Sequence, residues 1–409
     1  MKKTLLIVSA GGEALEGIRL AKSMGIHVVA SDANPDAVGF AMADDILLAS
    51  TYDVEGTVAE ALRYHNTVRP INGVMCIASD VPLTVASVAN ALGLPGISIE
   101  SARLATDKLA MKKRFFSDGV QIPWFSAVES AEHLKELVEM HGFPLVIKPV
   151  DSRGARGVLQ LRSGVDLSWA YRTAKQFSPT GRVILERFLP GPQVSTESLV
   201  VDGVAYTPGF ADRNYEYMER FAPHIIENGG QLPSHLSTDV QQAVRDLVQK
   251  AARSMGIKNG VVKGDIVVFE GKPYVIELAA RLSGGYFCTH EIPLNTGVDF
   301  VGAAIRQALG ESVDPTDLVP KFNKPVVQRY LFPEPGQVIS VDVPDWINTD
   351  PEVAYFELRV KPGDTVPPPI HHPARAGVVI ATGLTSPLAL AKAEAVVSTV
   401  KIVTQRILN

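Results

Sequence analysis

The sequence predicts a multidomain α/β protein, and three observations carry that reading. Residues 1 to about 105 alternate short apolar runs with amphipathic helical stretches. A second alternation, from Trp124 to Leu189, brackets a glycine-rich loop. From Val261 to Gly285, two β-branched runs then flank Glu270-Gly271-Lys272-Pro273, the pattern of an antiparallel hairpin. A chain of 409 residues exceeds one ordinary core, so two to four domains are expected.

Composition narrows the function classes. Hydrophobic residues make up 46% and charged residues 20%, as in well-folded globular chains. The net charge of -5 and the lack of a basic run argue against nucleic acid. Two cysteines, Cys76 and Cys288, give neither a disulfide framework nor metal-ligand spacing, and fit a reducing cytoplasm. The opening MKKTLLIVSAGG reads as a first strand, because its apolar run is too short for a signal sequence. No apolar run approaches the roughly 20 residues that span a bilayer, so no membrane partner is expected.

In the first 105 residues, strands are expected at Thr4 to Ser9, His27 to Ser31 and Gly73 to Ala78, with helices at Ala14 to Met24 and Leu83 to Leu92. Such alternation implies a parallel, Rossmann-like sheet with right-handed crossovers. Gly11, Gly12 and Gly17, with Asp32 after the second strand, suggest a dinucleotide fingerprint, but the glycine spacing does not meet it. The glycines serve equally as a turn beside a substrate pocket.

Residues 106–190 form the second expected unit. Lys108, Lys112, Lys113 and Arg114 fall on a helix that stops near Asp118-Gly119, with Lys108 one turn in. These lysines are either a solvated face or, at Lys108, a reach toward a bound phosphate. Then come strand, helix, strand, glycine loop, strand, helix and strand. The strand through Ile147 ends in Lys148, and Asp151 to Gly157 places Ser152, Gly154 and Gly157 where backbone N–H groups fold over an anion. Val183 to Glu186 reads as a buried strand whose edge, beside Phe188 and Leu189, suits a flat heteroaromatic ring.

A third unit, 191–320, holds the hairpin with its acids Asp265 and Glu277. A three-residue loop would set them directly opposite; a two-residue loop would leave them diagonal. Two carboxylates in apolar runs repel unless a hard cation joins them, and Mg²⁺ takes one or two carboxylates and completes its shell with water and phosphate. Arg281, Gly284 and Gly285 follow, offering a planar cation and backbone N–H groups to phosphate oxygens. Solvent-facing acids are the plainer alternative.

These pieces, in this order, resemble the ATP-grasp superfamily over most of the chain. The resemblance implies an ATP-grasp fold with a Rossmann-like amino-terminal domain, a lid subdomain, a central antiparallel-sheet domain and a small carboxy-terminal α+β subdomain over 321–409. It implies ATP and Mg²⁺, or Mn²⁺ in its place, as cofactors. Lys108 and Lys148 would contact the phosphates, Lys148 and Arg281 acting in catalysis. Glu186, Phe188, Leu189 and Gln193 would hold adenosine, Ser152 to Gly157 would close over the triphosphate, and Asp265 and Glu277 would bind metal. Gln193 stands where glutamate is common, and E-x-N-P-R becomes Glu277-Leu278-Ala279-Ala280-Arg281, which lacks the asparagine ligand. That E-x-A-A-R form is similar to amino-acid ligases.

The carboxy-terminal part looks like the terminal subdomain of biotin carboxylases and amino-acid ligases. Strands are expected at Val326 to Phe332, Gly336 to Val343, Tyr355 to Val360 and Gly377 to Thr382, with a closing helix from Pro387 to Arg406. Arg375 either lines the acceptor site or caps a strand. Glu227 either holds a substrate ammonium or is a solvated loop acid, and Arg281 and Gly284 complete the expected substrate contacts. His224, His290, His371 and His372 read as ordinary histidines.

The expected activity is ATP-dependent carboxylate–amine ligation through an acyl phosphate. The partners are a small-molecule carboxylate, an amino acid by the resemblance, and an amine, and the chain is expected to form a homodimer. A bicarbonate-using carboxylase and a non-catalytic nucleotide-binding protein are the alternatives.

Overall fold

The computed structural model describes residues 2–406. Its amino-terminal sheet has strands β1 (Thr4–Val8), β2 (His27–Asp32), β3 (Asp45–Leu48) and β4 (Gly73–Met75), in the order β3-β2-β1-β4. Every pairing in it is parallel, as the alternation predicts. Thr4 to Val8 is buried throughout, which explains why that strand reads as continuously apolar. Asp32 accepts hydrogen bonds from the Ala10 and Asn34 N–H groups, each at 3.0 Å, so its carboxylate braces the first loop.

A second sheet is built from β5 (Phe125–Val128), β6 (Leu145–Pro149), β7 (Leu159–Leu161) and β8 (Val183–Arg187), in the order β5-β8-β6-β7. Helices Ala131–His141 and Leu167–Gln176 pack on it around Leu134, Leu145, Ile147 and Leu185. This is the expected alternation from Trp124 to Leu189, element for element.

The largest sheet joins β9 (Gln193–Val201), β10 (Val204–Arg213), β11 (Gly229–Leu232), β12 (Gly260–Phe269), β13 (Lys272–Ala279) and β14 (Val326–Leu331) to two strands nearer the carboxyl end. After β14 come β15 (Gly336–Asp342), β16 (Val353–Leu358), β17 (Thr365–Val366), β18 (Gly377–Thr382) and β19 (Lys401–Gln405). The eight-stranded order is β13-β12-β9-β10-β11-β14-β18-β16, while β17-β15-β19 is a small sheet of its own. The large sheet runs without a break past residue 320, since β11 pairs with β14.

Two expectations are corrected, and the hairpin's loop length, left open by the sequence, is decided. The closing helix ends at Thr399, and Lys401–Gln405 is instead strand β19, paired with β15. Its Ile402-Val403-Thr404 run is β-branched, which favours strand over helix. Lys108 is the first residue of helix Lys108–Ser117, because Asp107 caps it by accepting from the Ala110 N–H at 2.8 Å. It is Lys112 that sits one turn in. The hairpin uses a two-residue turn, Glu270 and Gly271, both at positive φ.

Candidate active site

That two-residue turn alone would leave the two acids diagonal. A bulge changes the register between Asp265 and Ile266, so Asp265 pairs with Glu277 while Ile266 pairs with Val275. The carboxylates therefore share one face of the sheet, at the floor of a cavity of about 810 Å³ enclosed by the amino-terminal domain, the β5–β8 sheet and the large sheet. Ile276, the extra residue of the bulge, is also on the wall.

The cavity collects Lys108, Lys148, Ser152, Gly154, Glu186, Phe188, Leu189, Gln193, Glu227, Asp265, Glu277, Arg281, Gly284 and Arg375. Gly157 stays outside it: a Cβ there would meet Pro149 and Phe177 at 3.0 and 3.1 Å, so it packs the loop onto its own sheet. The loop lies over the cavity and is held from two sides. The Arg153 guanidinium sits 4.1 Å above the Tyr52 ring, and Gly154 accepts from the His372 N–H at 3.0 Å.

Charge in the cavity is arranged in buried pairs. Lys148 Nζ lies 2.9 Å from Glu186 Oε1 at the strand ends of β6 and β8, and the same carboxylate faces Lys112 at 3.5 Å. Lys112 is fully buried, and its Nζ also donates to Val275 O at 3.0 Å. Burial opposes charge on Glu186, yet the two lysines hold its carboxyl below the usual range. Burial pushes the Lys112 ammonium down to about 8, although Glu186 resists the shift. The reading of this helix face as solvated is therefore excluded, and it fails outright for Lys112, for which no inward role was expected. Both point inward, four residues apart on one face.

Each floor carboxylate has its own cation. Glu277 faces Lys108 at 3.1 Å, and Lys108 also donates to Ser152 O at 2.8 Å, tying the helix start to the lid loop. Asp265 accepts from Arg213 Nη1 at 2.7 Å and from Lys263. Burial alone would raise the Asp265 carboxyl, but Arg213 and Lys263 hold it well below the usual carboxylate range. Among the described residues, no cluster of three or more histidine, cysteine, aspartate or glutamate side chains forms a metal cage. Two register-opposed carboxylates are instead a donor set that fits Mg²⁺, which keeps places for water and phosphate oxygens.

Arg281 lies against Asp80 at 3.5 Å, and its charge is favoured by Asp80 despite burial. The turn after it is held by Glu197, which accepts from the Ser283 N–H at 3.0 Å, and by Glu13, which accepts from the Gly285 N–H at 2.8 Å. The Gly285 N–H thus serves a carboxylate of the amino-terminal domain. Glu227 accepts from Arg213 Nε at 3.1 Å, and Arg375 donates from Nη2 to the Glu227 backbone carbonyl at 2.7 Å. Arg375 also stacks 3.7 Å above the Tyr330 ring, within the cavity wall.

Sequence reasoning missed Lys112 as a buried partner, and with it Arg213, Lys263, Glu13, Asp80, Glu291, Tyr330 and His372. Spacing gave a signal for two of them, since Lys112 is i+4 from Lys108 on one helix and Lys263 is i−2 from Asp265 on one strand. His372 is half-buried, and desolvation, with Arg375 and Arg213 nearby, pushes its imidazole well below the usual value.

Comparison with known proteins bears on this arrangement. The model of the ATP-grasp domain matches residues 105–285, the stretch that supplies the lysines, the lid and the hairpin. These residues form an ATP-grasp domain. A second family model, L-amino acid ligase C-terminal domain 2, matches residues 329–405. The chain is 31% identical over 200 residues to D-alanine--D-alanine ligase of Gloeobacter violaceus, an alignment covering 46% of this chain and 63% of that protein. It is 25% identical over 394 residues to the uncharacterized protein y4rH of Sinorhizobium fredii, covering 93% of this chain and 79% of the relative. The chain thus spans less than two-thirds of the first relative's length and about four-fifths of the second's. In fold it is similar to the L-amino acid ligase of Bacillus licheniformis, with a TM-score of 0.83, 20% identity and 99% of each chain covered.

Proposed function

We propose that this protein is an ADP-forming carboxylate–amine ligase that joins an amino acid, activated at its carboxylate, to an amine. The observation that carries the reading is the cavity itself. Buried lysines at a helix start and a strand end, opposed carboxylates and a half-buried arginine all face one space beneath a glycine loop. The match to an L-amino acid ligase domain at residues 329–405 supports the amino-acid assignment.

In this reading Phe188, Leu189 and Gln193 receive adenosine, and Lys108 and Lys148 draw the phosphates. Asp265 and Glu277 would hold Mg²⁺, or Mn²⁺, which supplies charge neutralisation between phosphate oxygens. A carboxylate oxygen attacks the γ-phosphorus and ADP leaves. The amine nitrogen then attacks the carbonyl carbon of the acyl phosphate, loses a proton and expels phosphate. Arg281 steadies the charge on the transferred group, and the lid from Ser152 to Gly154 keeps water from an intermediate that would hydrolyse. Arg375 and Gly284 border the acceptor. The two free, buried cysteines fit a reducing cytoplasm, and a homodimer is the assembly we assign.

The test is ADP release from Mg²⁺-ATP against single amino acids, amino-acid pairs and bicarbonate, with product masses recorded. Release that needs a pair, with a product mass equal to the sum less water, is the expected result. Release with bicarbonate alone, or silence across the panel, overturns the assignment.

A further inference from the structure

Four guanidiniums on the cavity wall already have acids. Arg213 meets Glu227 and Asp265, Arg375 meets Glu227 at 3.8 Å, Arg281 meets Asp80, and Arg359 meets Glu357 at 2.8 Å and Glu13 at 3.8 Å. One acid is left over. Glu291 lines the same cavity with only 3% of its surface exposed, yet among the described residues nothing donates a hydrogen bond or ion pair to its carboxyl.

The backbone that places Glu291 is unusual. Tyr286 adopts a left-handed conformation, φ 65°, and Phe287–Glu291 then forms a single π turn in which the Glu291 N–H donates to Tyr286 O at 3.1 Å. This turn puts Phe287 and Glu291 together on the cavity wall. Burial, reinforced by the charge of Glu227, pushes the Glu291 carboxyl up to about 8, as befits an acid with no cation beside it.

The position is also distinct from the reacting end. Arg281 pairs with Asp80 at 3.5 Å before the Ser283–Gly285 turn, whereas Glu291 shares the wall with Phe287 beyond it. A ligand with its carboxylate at Arg281 would bring a more distant group to Glu291.

We propose that Glu291 is a specificity-determining residue that receives a substrate ammonium not consumed in the reaction. This rests on the ligase reading above. The ammonium is either the α-ammonium of an amino acid or the end of a basic side chain. A buried carboxylate with a vacant hydrogen-bonding shell favours such a group strongly, because the pair satisfies two charges at once.

Two matched pairs of probes separate the sources: L-lysine against L-norleucine, and L-alanine against propionate. Each is titrated calorimetrically into the full chain with Mg²⁺-ADP present, using the native protein and Glu291→Gln. The expected result is that the native protein prefers the ammonium-bearing member of at least one pair by about tenfold or more, and that Glu291→Gln reduces this to about twofold or less. Preference for lysine assigns a basic side chain; preference for alanine assigns the α-ammonium. An unchanged preference in Glu291→Gln, or no preference in the native protein, overturns the proposal. Binding of ADP and the unfolding midpoint report that the variant is folded, and Glu291→Met replaces it if it is not. Should the probes discriminate while no pair supports ADP release, the ligase reading fails and the ammonium site stands.

Discussion

Lys112 and Glu186 meet in the protein interior, 3.5 Å apart, with almost no surface exposed on either side chain. Lys112 does not border the cavity, so its contribution is to the carboxylate that Lys148 also holds. Removing one partner leaves a buried charge short of a counter-ion. Lys112→Met is expected to lower the unfolding free energy by about 3 kcal/mol. Urea denaturation checks this, and a loss under about 1 kcal/mol would mean that Lys148 alone satisfies Glu186.

Glu277→Gln keeps the side-chain volume but removes one of the two facing charges and the partner of Lys108. ADP release is expected to fall by about a hundredfold or more, with the thermal midpoint little changed. Unchanged turnover in a folded variant would refute the metal assignment.

Gly284 has no room for a side chain. A Cβ there would stand 2.4 Å from Glu13 Oε2 and 3.1 Å from the Ala78 Cβ. Gly284→Ala should therefore displace Glu13 from the Gly285 N–H and destabilise the protein by about 1–3 kcal/mol. Thermal unfolding measures the loss, and combining the change with Glu13→Ala should recover part of it.

Stability should fall as the solution turns alkaline. Burial raises the carboxyls of Glu197 and Glu291 to about 7 and about 8, above the 4.5 of an unhindered glutamate. The folded chain then holds protons that the unfolded chain has lost. The stability these acids contribute is full below about pH 4.5 and is lost as pH rises through 7 and 8. The urea midpoint should decline between about pH 5.5 and 8.5, and Glu291→Gln should flatten the decline.

Tyr52 holds the lid from the amino-terminal domain through the Arg153 guanidinium. Tyr52→Ala should free the loop by about 1 kcal/mol and speed tryptic cleavage after Arg153 and Arg156 several-fold. An unchanged cleavage rate would show that the Gly154–His372 contact holds the loop by itself.

The strands and helices that carry the site were legible because each is amphipathic or bracketed by turn residues. Lys148 and Glu186 could be placed at strand ends, and the two hairpin acids inside their strands, from the sequence alone. The direct pairing of Asp265 with Glu277 could not, since it depends on a bulge at Ile276 that leaves no local signal. Glu291 was hidden for a similar reason: helical periodicity does not describe a π turn that starts from a left-handed tyrosine. Lys263 lies two residues from Asp265 on β12, but Arg213 lies on β10, and only the tertiary order β12-β9-β10 brings it to the same carboxylate. The last strand was misread because Lys401–Gln405 continues directly from an alanine-rich helix, and pairing with β15 decides its state.

The sheets also differ in how separable they are. Apart from one isolated bridge from Leu159 to His224, strands β5 to β8 pair only with one another and occupy one uninterrupted stretch of sequence, Phe125–Arg187. That segment is a cassette: grafting it from a relative would preserve every strand pairing elsewhere. Strands β14, β16 and β18 have no such independence, because β14 supplies the hydrogen-bonding edge for β11. A truncation before Val326 would strip β11 of a neighbour and expose a raw sheet edge, inviting aggregation. Chimeras that exchange the glycine loop over the cavity should therefore be cut at the borders of the cassette, whereas the cavity residues on the large sheet must be redesigned in place.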